Sequence, residues 1–310
     1  MKSIVVASGK GGTGKTTVSA LFARLASERT KVVVVDADVE ASNLPLALRA
    51  TDATCAAFAG GARAAIDAAR CTGCRMCMQV CRFQAISPGT ECVCVVDRFA
   101  CEGCGSCATW CPNGAVRMAP STAGEACLGS GATGPIAYGR LEPGEDLSGR
   151  LVTEVRRLGA EEAERQGADM LLIDGPPGIG CPLIAAVAST DLVVAVAEPS
   201  VSGAHDLGRL AGVATRLGLP MRVMLNKADL SSVGASQVRD LCASRGLPLL
   251  VEVPFDTAIA DVNSAGAAEA PALAAEAGPG VRAVRSAWQA LERELGLEEW
   301  AAGVQQQPIE

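Results

Sequence analysis

Short apolar runs alternate with amphipathic stretches along most of the chain. Ser3 to Ala7 is apolar, Gly9 to Gly14 is a glycine-rich turn, and Thr16 to Arg29 carries an apolar period of 3.6 residues, which predicts strand, loop and helix. Lys31 to Asp36 (KVVVVD) is a second strand, and its unbroken β-branched run suits a parallel sheet covered on both faces. The same alternation returns with strands at Met170 to Ile173, Asp191 to Ala197, Met221 to Leu225 and Leu249 to Val253, separated by helical stretches. These elements predict an α/β fold built on a doubly wound, mostly parallel sheet. The segment SAWQALERELG from Ser286 reads as an amphipathic helix. Its polar face mixes two Glu with one Arg, which predicts packing on the protein's own core rather than on a membrane surface.

The pattern breaks after Asp52. Ten of the 14 cysteines fall between about Ala62 and Met118, in two similar halves offset by 30 residues, CTGCRMCMQVCRFQAI from Cys71 and CEGCGSCATWCPNGAV from Cys101. An internal repeat of this kind marks an inserted module. The expected organisation is therefore a first α/β part over 1–62, an insert over 63–118 and the rest of the α/β domain over 119–310. Ser121 to Gly149, rich in Gly, Ser, Thr and Pro, reads as a connecting segment with one strand at Pro135 to Leu141.

Composition narrows the possibilities. The 310 residues are 49% hydrophobic and 3% aromatic, with 34 acidic against 27 basic side chains and a net charge of −7. No 18-residue apolar run is present, so a transmembrane helix is not expected. Met1-Lys2 leads straight into IVVA, which is not the layout of a secretory signal, and a cytoplasmic location is expected. The absence of a basic cluster argues against a nucleic-acid surface. In such a chain, clustered cysteines point to metal ligation rather than to a disulfide framework.

Gly9-Lys10-Gly11-Gly12-Thr13-Gly14-Lys15-Thr16 satisfies the G-x-x-x-x-G-K-[ST] pattern between a predicted strand and helix. The backbone amides of such a loop converge on phosphates, Lys15 reaches the β- and γ-phosphates, and Thr16 ligates Mg²⁺. Thr17 follows in the same helix N-terminus. Asp36 and Asp38, two apart at a strand end, can face one side. Asp174 closes the run MLLID ahead of GPPGIG, and Asn226-Lys227-Ala228-Asp229 and Pro254-Phe255-Asp256 each follow a strand.

With Lys10 inside the loop (GKGGTGK), the sequence resembles the MinD/ParA/Mrp family of P-loop ATPases, which includes the nitrogenase iron protein. The resemblance covers residues 1 to about 60 and about 135 to 265. It implies ATP and Mg²⁺ as ligands, and a homodimer with ATP bound in which Lys10 reaches the partner's phosphates. It also implies that Asp38 activates the attacking water, that Asp36 and Asp174 serve the Mg²⁺, and that Gly178 lies near the γ-phosphate. Asn226, Pro254 and Asp256 would surround the base. NKAD alone would suit guanine equally well.

Cys71, Cys74, Cys77 and Cys81 are spaced C-x2-C-x2-C-x3-C, and Cys101, Cys104, Cys107 and Cys111 repeat the spacing, the second run followed by Pro112. This is the pattern of bacterial ferredoxins with two [4Fe-4S] clusters, in which the fourth cysteine of each run serves the other cluster. The expected ligand sets are Cys71, Cys74, Cys77 and Cys111 for cluster one, and Cys101, Cys104, Cys107 and Cys81 for cluster two. Zinc would favour two isolated pairs per site. Arg82 stands where the first run would have proline. Cys92 and Cys94 are expected on one face of a hairpin as buried thiols beside a cluster, and Cys181 as a core cysteine. Cys55, Cys127 and Cys242 carry no spacing signal, and His205 is expected in a loop or at a helix start.

The combination predicts an ATPase whose cycle controls electron transfer or metallocofactor assembly through two clusters, with an unidentified redox or client protein as partner and no membrane association. A positioning or scaffold ATPase with structural or sensory clusters is one alternative, and an iron–sulfur carrier is another. The carrier reading is weakened because no cysteine pair follows Cys242.

Overall fold

The apolar, β-branched runs become the central strands of a sheet. A computed structural model describes residues 1–259 and 278–297, so residues 260–265 of the family-like stretch lie outside the described residues. The chain divides into two units, one made from residues 1–55, 126–140 and 148 onward, the other from 56–125 and 141–147.

In the first unit, β1 (Lys2–Ser8), β2 (Val32–Asp36), β7 (Gly134–Leu141), β8 (Met170–Pro177), β9 (Leu192–Ala197), β10 (Met221–Asn226) and β11 (Leu249–Val253) line up in the order β11-β10-β9-β1-β8-β2-β7. Every pairing among these seven strands is parallel. The first-unit ends of β6 (Val116–Gly131) and β3 (Thr51–Ile66) continue the order. The Asp36↔Asp174 register brings two carboxylates side by side at the carboxyl ends of β2 and β8. Ligands bind at that edge of open α/β sheets.

The helices are α1 (Lys15–Ser27), α2 (Leu44–Ala47), α5 (Ser148–Gln166), α6 (Cys181–Val187), α7 (Val201–Arg216), α8 (Ser232–Arg245) and α9 (Pro279–Leu295). α1 packs on α9, α5 on α6 and α7 on α8. The tail helix is a core element, as its pattern predicts: Val281, Val284, Ala287, Trp288 and Leu291 are all buried, and Trp288 stacks at a tilt on Phe22 with ring centroids 5.2 Å apart. Among the described residues, no helix is long and apolar enough to cross a membrane.

Two expectations need correction here. The supposed connecting segment from Ser121 is regular structure, because residues 121–131 belong to β6, with Ala123 and Cys127 fully buried. The change of character after Asp52 hides a second long strand, β3, whose residues are mostly exposed. Both strands are made largely of Ala, Gly, Ser and Thr, which give little hydrophobic signal, so backbone pairing rather than side-chain burial defines them.

The second unit carries the cysteine repeat. It contains α3 (Met76–Val80), α4 (Ser106–Thr109) and an antiparallel hairpin of β4 (Ile86–Pro88) and β5 (Cys94–Val96). Its small core is Ala64, Cys77, Ile86, Cys94, Cys107 and Val116.

Trp288→Ala is expected to destabilise the first unit by about 3–5 kcal/mol, the usual cost of truncating a buried tryptophan. Chemical denaturation of the variant checks this, and a change below about 1 kcal/mol contradicts the packing role assigned to α9.

Candidate functional site

The glycines of the first loop let the chain turn back on itself before α1. Gly12 and Gly14 hold left-handed φ values of 82° and 94°. A Cβ at Gly14 would lie 2.4 Å from Asn226 Nδ2, so only glycine fits there. The loop opens onto a cavity of about 400 Å³ lined by Gly11, Gly12, Thr13, Gly14, Lys15, Thr16, Thr17, Asp38, Asn226, Pro254 and Asp256, all expected from sequence. That volume lies in the range of small-molecule sites. The cavity also takes in Asn43, Pro177, Lys227 and Phe255, and an apolar side of Val18, Leu21, Ile259 and Val284. The sequence does not single out that apolar side, because its residues read simply as helix core.

Asp174 is fully buried and organises the loop's charge. Lys15 Nζ lies 3.0 Å from its Oδ1, and Thr16 Oγ1 and Ser19 Oγ each donate to it at 2.7 Å. Ser19 escapes sequence reading, although its spacing of four from Lys15 places both on one helix face. Thr16 and Asp174 together form the oxygen donor pair that suits Mg²⁺, a hard cation. Asp38 stands 3.9 Å from Lys15 Nζ, and burial pushes its carboxyl up from the usual carboxylate value.

Asp36, expected to serve the Mg²⁺, is engaged by its own chain. Its carboxylate accepts from Asp38 N (3.0 Å), Ser42 Oγ (2.8 Å) and Leu44 N (3.0 Å), so it holds the segment that carries Asp38 and does not line the cavity. Burial, followed by the neighbouring Asp174 charge, pushes its pKa up to about 7.

Lys10 also stands apart from the cavity. Within the single chain its Nζ pairs with Glu198 at 2.6 Å and donates to Ser202 Oγ at 2.8 Å. Burial works against Glu198 ionising, but hydrogen bonds from Lys10 and Ser200 outweigh it and hold the carboxyl below its usual value. Gly178, at φ 87°, lies outside the cavity lining but binds the first loop's strand through its N–H to Ser8 O at 3.0 Å.

Asn226, Asp229 and Asp256 brace the chain. Asn226 lines the cavity, and its Nδ2 donates to Thr13 O at 2.7 Å while its Oδ1 accepts from Lys227 N, so its amide also supports the phosphate loop. Asp229 Oδ1 accepts from Phe255 N at 2.6 Å. Asp256 accepts from Ala258 N and Gly280 N, which ties the turn after β11 to the start of α9.

In the second unit, one cavity is lined by Cys71, Cys74, Cys77 and Cys111, and another by Cys81, Cys101, Cys104 and Cys107. Each quartet draws three thiols from one run and the fourth from the other, the two sets read from the spacing. Such donor sets fit cubane iron–sulfur clusters, which take four cysteine thiolates. The glycine of each run sits at left-handed φ, 69° at Gly73 and 67° at Gly103, where an added Cβ would strike Cys92 O at 2.4 Å and Ala62 O at 2.3 Å. The fourth cysteine of each run accepts a backbone N–H, from Ala85 at 3.4 Å to Cys81 Sγ and from Ala115 at 3.3 Å to Cys111 Sγ.

Of the remaining cysteines, Cys92 and Cys181 depart from expectation. Cys94 is buried on β5, but Cys92 is exposed, because the chain takes a left-handed turn there (φ 62°) and breaks the alternation. Cys181 is exposed at the first residue of α6 and is not a core residue. Cys55 and Cys127 pair as a disulfide between β3 and β6. Cys242 is buried, and His205 lies exposed within α7.

The family description CobQ/CobB/MinD/ParA nucleotide binding domain matches residues 4–268. An uncharacterized protein of Methanocaldococcus jannaschii is 31% identical over 231 residues, 74% of this chain and 79% of that protein. A second uncharacterized protein of the same organism is 26% identical over 234 residues, covering 75% and 82%. The septum site-determining protein MinD of Pyrococcus horikoshii, solved with Mg-ADP, shares the fold with a TM-score of 0.57 at 19% identity, over 96% of this chain and 98% of that one. The cell division ATPase MinD of Pyrococcus furiosus does so at 0.56 and 20%, over 94% and 98%.

Because Asp36 has a folded value near 7 against an ordinary 3.8, the folded chain keeps a proton that the unfolded chain has released. Its contribution to stability therefore falls as pH rises from about 4 to about 7 and levels off above that. Asp36→Asn removes this contribution. The stability difference between variant and parent, followed by denaturation from pH 4 to 8, is expected to move in the variant's favour with rising pH, and a flat difference contradicts the assignment.

Proposed function

The chain belongs to the CobQ/CobB/MinD/ParA nucleotide-binding family, and we propose that it is an ATPase that couples its nucleotide cycle to electron transfer or metallocofactor assembly through two [4Fe-4S] clusters. The observation that carries the proposal is the pair of cysteine quartets, each lining its own cavity and each built from both runs, in a chain that also holds a phosphate-loop cavity. The clusters would supply one-electron chemistry when bound, and the eight run cysteines would hold them.

At the nucleotide, Lys15 and the loop amides would neutralise the phosphates, and Thr16 with Asp174 would hold the Mg²⁺, which would supply further charge neutralisation. Asp38 orients a water for attack on the terminal phosphorus, with ADP as leaving group. ATP is favoured over GTP because Asp229, the carboxylate that would read guanine, is engaged by the Phe255 backbone, and one side of the cavity is apolar. A homodimer with ATP bound requires Lys10 to leave Glu198, so that ion pair is a contact the dimer would have to exchange.

Asp38→Ala is expected to lower ATP hydrolysis by about 10²-fold or more while nucleotide binding persists. Phosphate release and nucleotide titration check the two properties separately, and unchanged hydrolysis removes Asp38 from the mechanism.

Anaerobically purified protein is expected to contain about eight irons per chain, two cubanes of four. Its EPR redox titration should move with a non-hydrolysable ATP analogue and Mg²⁺ by about 30 mV or more, roughly threefold in a one-electron constant. Identical titrations with iron present point instead to a scaffold or positioning ATPase with passive clusters. Absence of iron refutes the cluster reading.

A further inference from the structure

The two halves of the second unit share backbone contacts at matching positions. Asp67 N donates to Ala115 O at 2.8 Å, and Asp97 N to Ala85 O at 2.7 Å. Cys71 N donates to Asp67 O at 3.0 Å, and Cys101 N to Asp97 O at 3.1 Å. Gly73 abuts the carbonyl of Cys92 as Gly103 abuts that of Ala62. Cys94 and Ala64, each two residues past those carbonyls and seven ahead of the next run, therefore hold equivalent positions.

Both positions are buried, and each lines one cysteine cavity: Cys94 the one with Cys71, Cys74, Cys77 and Cys111, Ala64 the one with Cys81, Cys101, Cys104 and Cys107. The first cavity thus gathers five cysteine sulfurs and the second four. The buried Cys94 packs with Cys77 in the small core of this unit and lines the same cavity. Four thiolates would complete the ligand set of a cubane bound there, so the fifth sulfur would have no iron to bind and would be free to act as an S–H donor.

We propose that Cys94 is a positioning residue that makes the two cluster sites unequal: its thiol donates to the Cys77 sulfur and raises the reduction potential of the first site above that of the second. The proposal rests on the cluster reading given above. Reduction adds negative charge that spreads onto the ligand sulfurs, and a donor aimed at one of them stabilises the reduced form more than the oxidised form. Ala64 offers no donor at the matching place. An added electron therefore settles on the first site, and the pair acquires a direction that the repeat alone would not give it.

The test compares the holoprotein with Cys94→Ala, Cys94→Ser and Ala64→Cys by iron content and anaerobic EPR potentiometric titration. All four proteins are expected to hold the same iron. Cys94→Ala should lower the higher-potential site at least threefold in its reduction constant, ~28 mV for one electron, and leave the other site in place. Cys94→Ser, which keeps a donor, should recover most of that shift, and Ala64→Cys should raise the lower-potential site. Iron present with potentials unmoved in every variant overturns this inference alone. Loss of about half the iron in Cys94→Ala overturns it by making Cys94 a ligand, and iron absent from the parent protein overturns the cluster reading and this inference together.

Discussion

The buried carboxylate of Asp174 is the contact on which the nucleotide unit depends. It is fully buried, and it accepts from Thr16 and Ser19 while pairing with Lys15. Through those three side chains it fastens the carboxyl end of β8 to the first turns of α1, which fixes the helix whose N-terminus would face the phosphates. Desolvating such a pair is costly, but removing one partner from it costs about 3–5 kcal/mol because the other charge is left buried and alone. The arrangement therefore commits both partners. It also stores the function, since the groups that hold the site together are those an Mg²⁺-nucleotide would engage.

Asp36 shows how the neighbouring strand answers that charge. Burial, and next to it the Asp174 carboxylate in register on β8, push the pKa of Asp36 up. Asp36 is compensated by hydrogen bonds from Ser42 and from the Asp38 and Leu44 backbones, which bend the chain after β2 so that Asp38 lines the cavity. Asn226, Asp229 and Asp256 likewise use their polar atoms on backbone partners. The cavity is shaped by polar groups that face the protein as much as by those that face the ligand.

Much of this was legible in the sequence, for physical reasons that differ from place to place. Parallel strands buried on both faces read as unbroken apolar runs, so β1, β2, β8, β9 and β10 announce themselves. Glycines at fixed spacing mark a loop that only positive φ can form, and the loop residues from Gly11 to Thr17 do line one cavity. What was not legible depends on pairing or on local backbone turns. β3 and β6 consist of small residues whose strand character comes from each other. Ser19 looks like any helix residue until Asp174 is placed beside it, and Asn226 gives no sign in sequence that its amide faces Thr13.

The cysteines carry the same lesson further, because identical side chains take different fates according to backbone and burial. Spacing alone sorts eight of them into two quartets, since C-x2-C-x2-C winds each run around a common centre. Spacing cannot reach Cys55 and Cys127, 72 residues apart, which meet only because β3 lies beside β6. Nor can it separate Cys92 from Cys94: a left-handed turn exposes the first, while the first residue of β5 buries the second against a cysteine quartet. Alternation along an extended strand would have put both on one face, and two successive left-handed residues, Glu91 at φ 54° and Cys92 at φ 62°, undo it. A repeat thus supplies two matching frames, and it is the residue filling an equivalent place in each, cysteine at 94 and alanine at 64, that lets the frames differ in chemistry while remaining alike in fold.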